Sequence, residues 1–155
     1  MNKILKAMAF SAAVMALPAQ AYVGIGGGKA KIDDSNENSY KIFVGSQPNH
    51  NIGLELAYND FGKHDGASVN SLSLAAIGTL PVAPNCTAFA KLGASRNQVK
   101  VDSFKERRTG LLAGIGVGYN FNQNLGIRIE YENFGKLADT DTKVKNLGVN
   151  IKYSF

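Results

Sequence analysis

Residues 147–155 alternate without a break. Leu147, Val149, Ile151, Tyr153 and Phe155 are apolar or aromatic, while Gly148, Asn150, Lys152 and Ser154 are small or polar. Period two sustained over this length is a strand with two unlike faces. The pattern returns in 125–132, where Leu125, Ile127, Ile129 and Tyr131 oppose Gly126, Arg128, Glu130 and Glu132. It returns again in 111–121, with Gly114, Gly116 and Gly118 on one side, and in 52–58, where Glu55 falls between Leu54 and Leu56. Weaker alternation predicts strands over 22–30, 40–46, 72–80 and 87–95, which brings the number to eight. Their connections switch regularly between short segments (47–51, 81–85, 122–124) and longer hydrophilic ones (31–39, 62–69, 96–109, 135–143). An up-and-down meander sorts the two kinds to opposite ends. The predicted fold is therefore all-β, an eight-stranded antiparallel up-and-down barrel.

Which face is outside separates a soluble barrel from a transmembrane one. A soluble barrel of this size turns its apolar face inward, often around a ligand. Here the other face is too rich in glycine and charge to be a solvent face. Glycine on a solvent face weakens a strand for no gain, whereas inside a narrow barrel it leaves room for long side chains from across the lumen. The apolar face ends in Tyr58, Tyr119, Phe121, Tyr131, Tyr153 and Phe155, the placement of a membrane-interface girdle. A transmembrane barrel follows, with Glu55, Lys91, Arg128, Glu130, Glu132 and Lys152 pointing into its lumen. Three acids face three bases, so the interior can neutralise itself. A buried charge is tolerated only when it is paired. The inward positions of the fourth strand, Ser71, Ser73, Ala75 and Ile77, include no base.

The N-terminus sets the expected compartment. Lys3 and Lys6 precede a short apolar run over 7–17, then Pro18 and the small-x-small sequence Ala19-Gln20-Ala21. This is the pattern of a secretory signal peptide over 1–21, with the barrel domain over 22–155. Removing the two leader lysines lowers the formal charge from +5 to +3. That charge is too small and too dispersed to predict nucleic-acid binding. Mean hydropathy of −0.11 excludes a bundle of membrane-spanning helices. The single cysteine, Cys86, excludes an intrachain disulfide, and with two histidines it excludes a Cys/His zinc cluster. No cofactor is expected.

At Gly53-Leu-Glu-Leu-Ala-Tyr-Asn-Asp-Phe-Gly62, Gly116-Val-Gly-Tyr-Asn-Phe-Asn-Gln-Asn-Leu-Gly126 and Arg128-Ile-Glu-Tyr-Glu-Asn-Phe-Gly135 the chain resembles the transmembrane barrel of the outer membrane protein A family and its small relatives. The resemblance covers nearly all of the chain after the leader. It implies an outer-membrane location and contact with outer-membrane lipids and lipopolysaccharide. It also implies that Ile151, Tyr153 and Phe155 form the terminal signal read by the outer-membrane assembly machinery. The family is known for a lumenal carboxylate–base gate, and Glu55 and Arg128 look like its members here. The missing base on the fourth strand is a departure, for which Lys91 or Lys152 could substitute. No peptidoglycan-binding domain follows Phe155 in this sequence, so the resemblance does not extend to cell-wall anchoring.

Other motifs carry bland readings. Gly24-Ile-Gly-Gly-Gly-Lys29 has the glycines of a phosphate loop but not its strand-then-helix setting, and is read as a barrel strand. His64 with Asp65 and Ser68 or Ser71 is the one candidate hydrolase cluster, without the strained elbow a nucleophilic serine needs; His50 sits in a turn. Lys100, Lys105, Arg107 and Arg108 gather in the third long connection, where they suit either solvent or lipopolysaccharide phosphates, with Asp33, Asp34 and Glu37 as internal partners. The expected protein is a monomeric, non-enzymatic barrel with a structural or surface-interaction role, binding an extracellular ligand through its loops. A narrow low-conductance channel is the alternative, and a lipid-acting enzyme a more remote one.

Overall fold

The computed structural model describes residues 21–32, 35–47, 51–64, 67–101, 104–136 and 143–155. Residues 1–20 of the predicted leader over 1–21, and His50, Asp33, Asp34 and Asp65, lie outside them. Eight strands follow one another: β1 (Ala21–Ile32), β2 (Ser35–Ser46), β3 (Ile52–His64), β4 (Ala67–Ala83), β5 (Cys86–Val101), β6 (Phe104–Asn120), β7 (Leu125–Lys136) and β8 (Lys143–Ser154). Each pairs antiparallel with its neighbour in sequence, and β8 also pairs with β1, which closes the barrel. Beyond β8 the Phe155 N–H still donates to the Ala21 carbonyl at 3.0 Å. Closure gives every strand a hydrogen-bonded neighbour on both sides.

The two faces are distributed as the alternation predicts. Leu54, Leu74, Leu92, Ile115, Ile129, Val149 and Ile151 point outward and are exposed, while Glu55, Lys91, Arg128, Glu130 and Glu132 point inward and are buried. A continuous apolar exterior around a charged interior would be costly in water and suits hydrocarbon. Outward aromatics mark one edge of this band near the chain termini, where Tyr119 meets Phe121 and Tyr153 meets Phe155, each pair 5.4 Å apart and edge to face. The glycines on the inner face make room for rings. A Cβ on Gly24 would collide with Phe43, and one on Gly116 with Phe89.

The structure corrects the predicted connections. At the end carrying the termini, called here the turn end, the pairing of Ala83 with Cys86 leaves only Pro84 and Asn85, and Asn85 takes a φ of 63°. Asparagine tolerates this left-handed conformation better than most residues. At the opposite, loop end, three of the four supposedly long segments are mostly strand. β1 runs to Ile32 with β2 starting at Ser35, β3 to His64 with β4 at Ala67, and β5 to Val101 with β6 at Phe104. Their outward positions are polar and their few apolar residues, such as Val69 and Val99, belong to the inner face, so no outward apolar stripe announces them, yet their backbone groups pair across each hairpin. Tyr58 and Tyr131, expected near strand ends, consequently lie mid-strand.

Two strands bend where they leave the apolar band. The β3–β4 register shifts between Asp60 and Lys63, and the β7–β8 register shifts between Asn133 and Lys136. At the first, Gly62 adopts a φ of +76° and its N–H is received by Asp60 Oδ1 at 2.8 Å. Only glycine takes that conformation without strain.

Candidate functional site

The lumen is built in layers. Its centre holds six ionised side chains: Lys41 from β2, Glu55 from β3, Lys91 from β5, and Arg128, Glu130 and Glu132 from β7. None is more than 5% exposed. The guanidinium of Arg128 forks onto Glu55, with Nη1 2.8 Å from Oε2 and Nη2 3.0 Å from Oε1. It also lies 3.2 Å from Glu130. Lys91 Nζ reaches Glu55 at 2.7 Å, Glu130 at 2.8 Å and Glu132 at 3.4 Å. Lys41 pairs with Glu130, and with Glu132 at 2.9 Å. Tyr22 Oη donates to Glu55 at 2.9 Å, and Asn150 Nδ2 donates to Glu130 at 2.8 Å. Every acid thus meets at least two bases. That is the condition under which the desolvation of buried charge is offset.

Aromatic rings bracket the cluster from the turn end. The Arg128 guanidinium carbon is 4.2 Å from the Phe43 ring centroid and 5.0 Å from that of Phe89. A planar cation between two rings gains from their quadrupoles while its edge stays free for the carboxylates.

Lys152, expected in this network from the sequence, is not paired within it, and Lys41, not expected there, is a member. Lys152 does face inward, but it stands nearer the turn end and pairs with no acid among the described residues. Its Nζ lies 5.2 Å from the Tyr22 ring centroid. Lys41 takes its place and restores the balance of three bases to three acids. The signal for Lys41 was weak because Ile42, Phe43 and Val44 are consecutive and apolar, so no clean alternation marks which side Lys41 takes. Parity with Phe43 and Gly45 supplies it. Strand β4 adds no base, as its inward Ser71, Ser73, Ala75 and Ile77 foretell.

Toward the loop end an apolar layer closes the lumen. Phe61, Val69, Leu112, Phe134 and Val144 are buried there together with Ala30 and Ala75. Phe61 of β3 and Phe134 of β7 come from opposite walls of the barrel and meet edge to face at 5.1 Å. Both follow an outward tyrosine by three residues and precede a glycine, in Tyr58-Asn-Asp-Phe-Gly62 and Tyr131-Glu-Asn-Phe-Gly135. Both stretches carry the family resemblance, but nothing in the sequence says that their phenylalanines meet. Polar groups line the wall between the layers. Ser95 Oγ and Asn97 Nδ2 both donate to the Phe134 carbonyl, at 2.8 and 2.9 Å. Asn59 and Ser71, opposite each other in the β3–β4 register, are buried, and neither the Asn59 amide nor the Ser71 hydroxyl finds a protein partner.

The remaining candidates fall elsewhere. Ile151, Tyr153 and Phe155 are about half exposed on the outer face of β8 and just beyond it. Lys100 stands directly opposite Lys105 in the β5–β6 register, Arg107 opposite Gln98, and Arg108 at the alternate position opposite Asn97. The four bases therefore lie on an extended hairpin rather than in a loop. Ser71 of the supposed hydrolase cluster is wholly buried in the lumen wall. The Gly24–Lys29 stretch lies within β1. Cys86 begins β5, half-buried, next to the Pro84-Asn85 turn.

This architecture has close structural parallels. The Ail attachment invasion locus protein of Yersinia pestis, solved in complex with the heparin analogue sucrose octasulfate, superposes with a TM-score of 0.62 at 20% identity, covering 88% of this chain and 97% of that one. Neisserial surface protein A superposes with a TM-score of 0.63 at 16% identity, covering 87% and 96%. The N-terminal β-barrel domain of Pseudomonas aeruginosa OprF superposes with a TM-score of 0.62 at 18% identity, covering 89% and 100%. At these identities the likeness is one of fold. Comparison with curated protein sequences gives no match. The sequence itself matches the outer membrane protein beta-barrel domain over residues 4–155. With a closed eight-stranded barrel, an apolar exterior and a charged interior, the chain belongs to the outer membrane protein beta-barrel domain family.

Proposed function

We propose that this protein is a closed surface barrel of the outer membrane, without enzymatic activity, whose loop-end hairpin makes contact with polyanions. The observation that carries the reading is the pair of layers across the lumen, six mutually paired charges beneath the Phe61–Phe134 cap. A lumen filled by its own side chains conducts little, so function moves to the rim. There Lys100, Lys105, Arg107 and Arg108 gather on the β5–β6 hairpin. Their ligand chemistry is phosphate or sulfate, met first as lipopolysaccharide phosphates around the barrel and then as an anionic extracellular partner. The Ail barrel solved with a heparin analogue is a precedent on the same fold.

In this reading the signal peptide over 1–21 directs export. The assembly machinery reads Ile151, Tyr153 and Phe155, and the mature barrel works as a monomer with its turn end in the periplasm. Neutralising Lys105, Arg107 and Arg108 together is expected to weaken binding to lipopolysaccharide and to remove its salt dependence. Unchanged binding across a salt series would sink the reading.

A narrow low-conductance channel is the second reading. It is favoured by one observation: a cavity of about 660 Å³ enters from the turn end as far as Arg128. Only the ionic cluster and the apolar cap would then have to open.

A further inference from the structure

The cavity at the turn end is charged differently from the rest of the lumen. Above it, Lys41, Lys91 and Arg128 are matched by Glu55, Glu130 and Glu132. Lys152 is a fourth inward base, lines the cavity, and has no acidic partner among the described residues. Arg128 forms the inner end of the same cavity. Its two terminal nitrogens are taken by Glu55 and Glu130, but its Nε–H is buried without a hydrogen-bond partner. A buried donor, above all on a charged group, ordinarily finds an acceptor. Two cationic side chains thus line one cavity: Lys152 has no acidic partner among the described residues, and Arg128, already paired with Glu55 and Glu130, keeps one N–H without an acceptor. The walls beside them mix the hydroxyl of Thr87 with apolar Ile77 and Phe89. Gly118, also on the wall, leaves the space next to Thr87 and Arg128 open. A volume of about 660 Å³ is of the size that holds small organic ligands, and a mostly apolar wall with a few convergent polar groups is how such sites are built.

We propose that this vestibule is a binding site for a small organic anion, a carboxylate or phosphate monoester. Its oxyanion is held between Lys152 Nζ and Arg128 Nε–H, and its apolar body rests on Phe89 and Ile77. The Tyr22 ring, 5.2 Å beneath Lys152 Nζ, steadies the lysine in this position. The site does not depend on the polyanion reading of the hairpin at the far end. That reading of the protein as an outer-membrane barrel adds only that the mouth faces the periplasm.

The test is amide NMR of the refolded full barrel in octyl glucoside micelles, titrated separately with phenyl phosphate, benzoate, inorganic phosphate and phenol. Saturable shifts are expected at Thr87, Gly118 and Lys152 with phenyl phosphate or benzoate, and whichever binds more tightly identifies the oxyanion. Phosphate alone, lacking the apolar body, and phenol, lacking the charge, should each bind at least tenfold more weakly. Lys152→Gln should lower affinity at least tenfold with the rest of its spectrum unchanged, and Lys100→Gln at the loop end should leave affinity as it was. Equal binding of phenol, equal binding of phosphate, an unaffected Lys152→Gln variant, or an equal loss in Lys100→Gln would each overturn the proposal.

Discussion

The two halves of the lumen handle buried charge in opposite ways. Toward the loop end each ionised group is matched, then covered by the Phe61–Phe134 layer. Toward the turn end Lys152 lines open space with no acidic partner among the described residues, and the Arg128 Nε–H is buried without an acceptor. Both halves draw on the same eight strands and the same inward parity, so the fold alone does not decide between them. Side-chain reach does. Glu55 and Glu130 can each be touched by three bases because Lys41, Lys91 and Arg128 converge from three different strands. Lys152 lies one inward position closer to the turn end than Asn150, and it is Asn150 that contacts Glu130.

Breaking the matched half should have the largest effect. Replacing Lys91 by methionine keeps most of its volume but removes a cation from among three carboxylates. A loss of about 3–5 kcal/mol is expected, since the remaining charges become unbalanced in a dry setting. Urea unfolding from lipid bilayers measures it. The same change at Lys152 should alter stability by less than about 0.5 kcal/mol, because no paired acid is stranded there. Equal losses at the two lysines would erase the contrast between the halves.

The apolar cap comes next. Phe61→Ala should cost about 3 kcal/mol through lost burial and the cavity left behind. Phe134→Ala added to it should cost less than Phe134→Ala alone, because the ring contact at 5.1 Å is already gone. Strict additivity in that cycle would mean that the two rings do not support each other.

The smallest effect sharpens the comparison within the polar wall. Ser95 donates to the Phe134 carbonyl, whereas buried Asn59 has no protein partner. Ser95→Val should therefore cost about 1 kcal/mol, and Asn59→Leu should be neutral or stabilising. The opposite order would show that Asn59, not Ser95, is the residue satisfied in the folded barrel.

How much of this was legible in the sequence follows from the same contrast. Period-two alternation in β6, β7 and β8 fixes strand number, parity and the inward set on β7, because lipid outside and charge inside make the two faces chemically distinct. Arg128, Glu130 and Glu132 are readable for that reason. Lys41 was not, because its strand is apolar at three consecutive positions. The position of Lys152 was not, because alternation gives the direction of a side chain but not its height relative to groups on other strands. Phe61 and Phe134 were hidden by sequence distance: nothing in two separate Phe-Gly pairs says that they stand on opposite walls until the barrel closes. The loop-end hairpins are hard to read because their outward face is polar beyond the apolar band, leaving only scattered inward residues such as Val69 and Val99 to mark a period.

Planar-bilayer conductance tests the central claim, that the matched half and its cap seal the lumen. The native barrel should give no steady current above the bare bilayer. Arg128→Ala combined with Phe61→Ala and Phe134→Ala should give stable steps, because the vestibule would then continue through both layers. A native barrel that conducts as well as this triple variant would contradict the account.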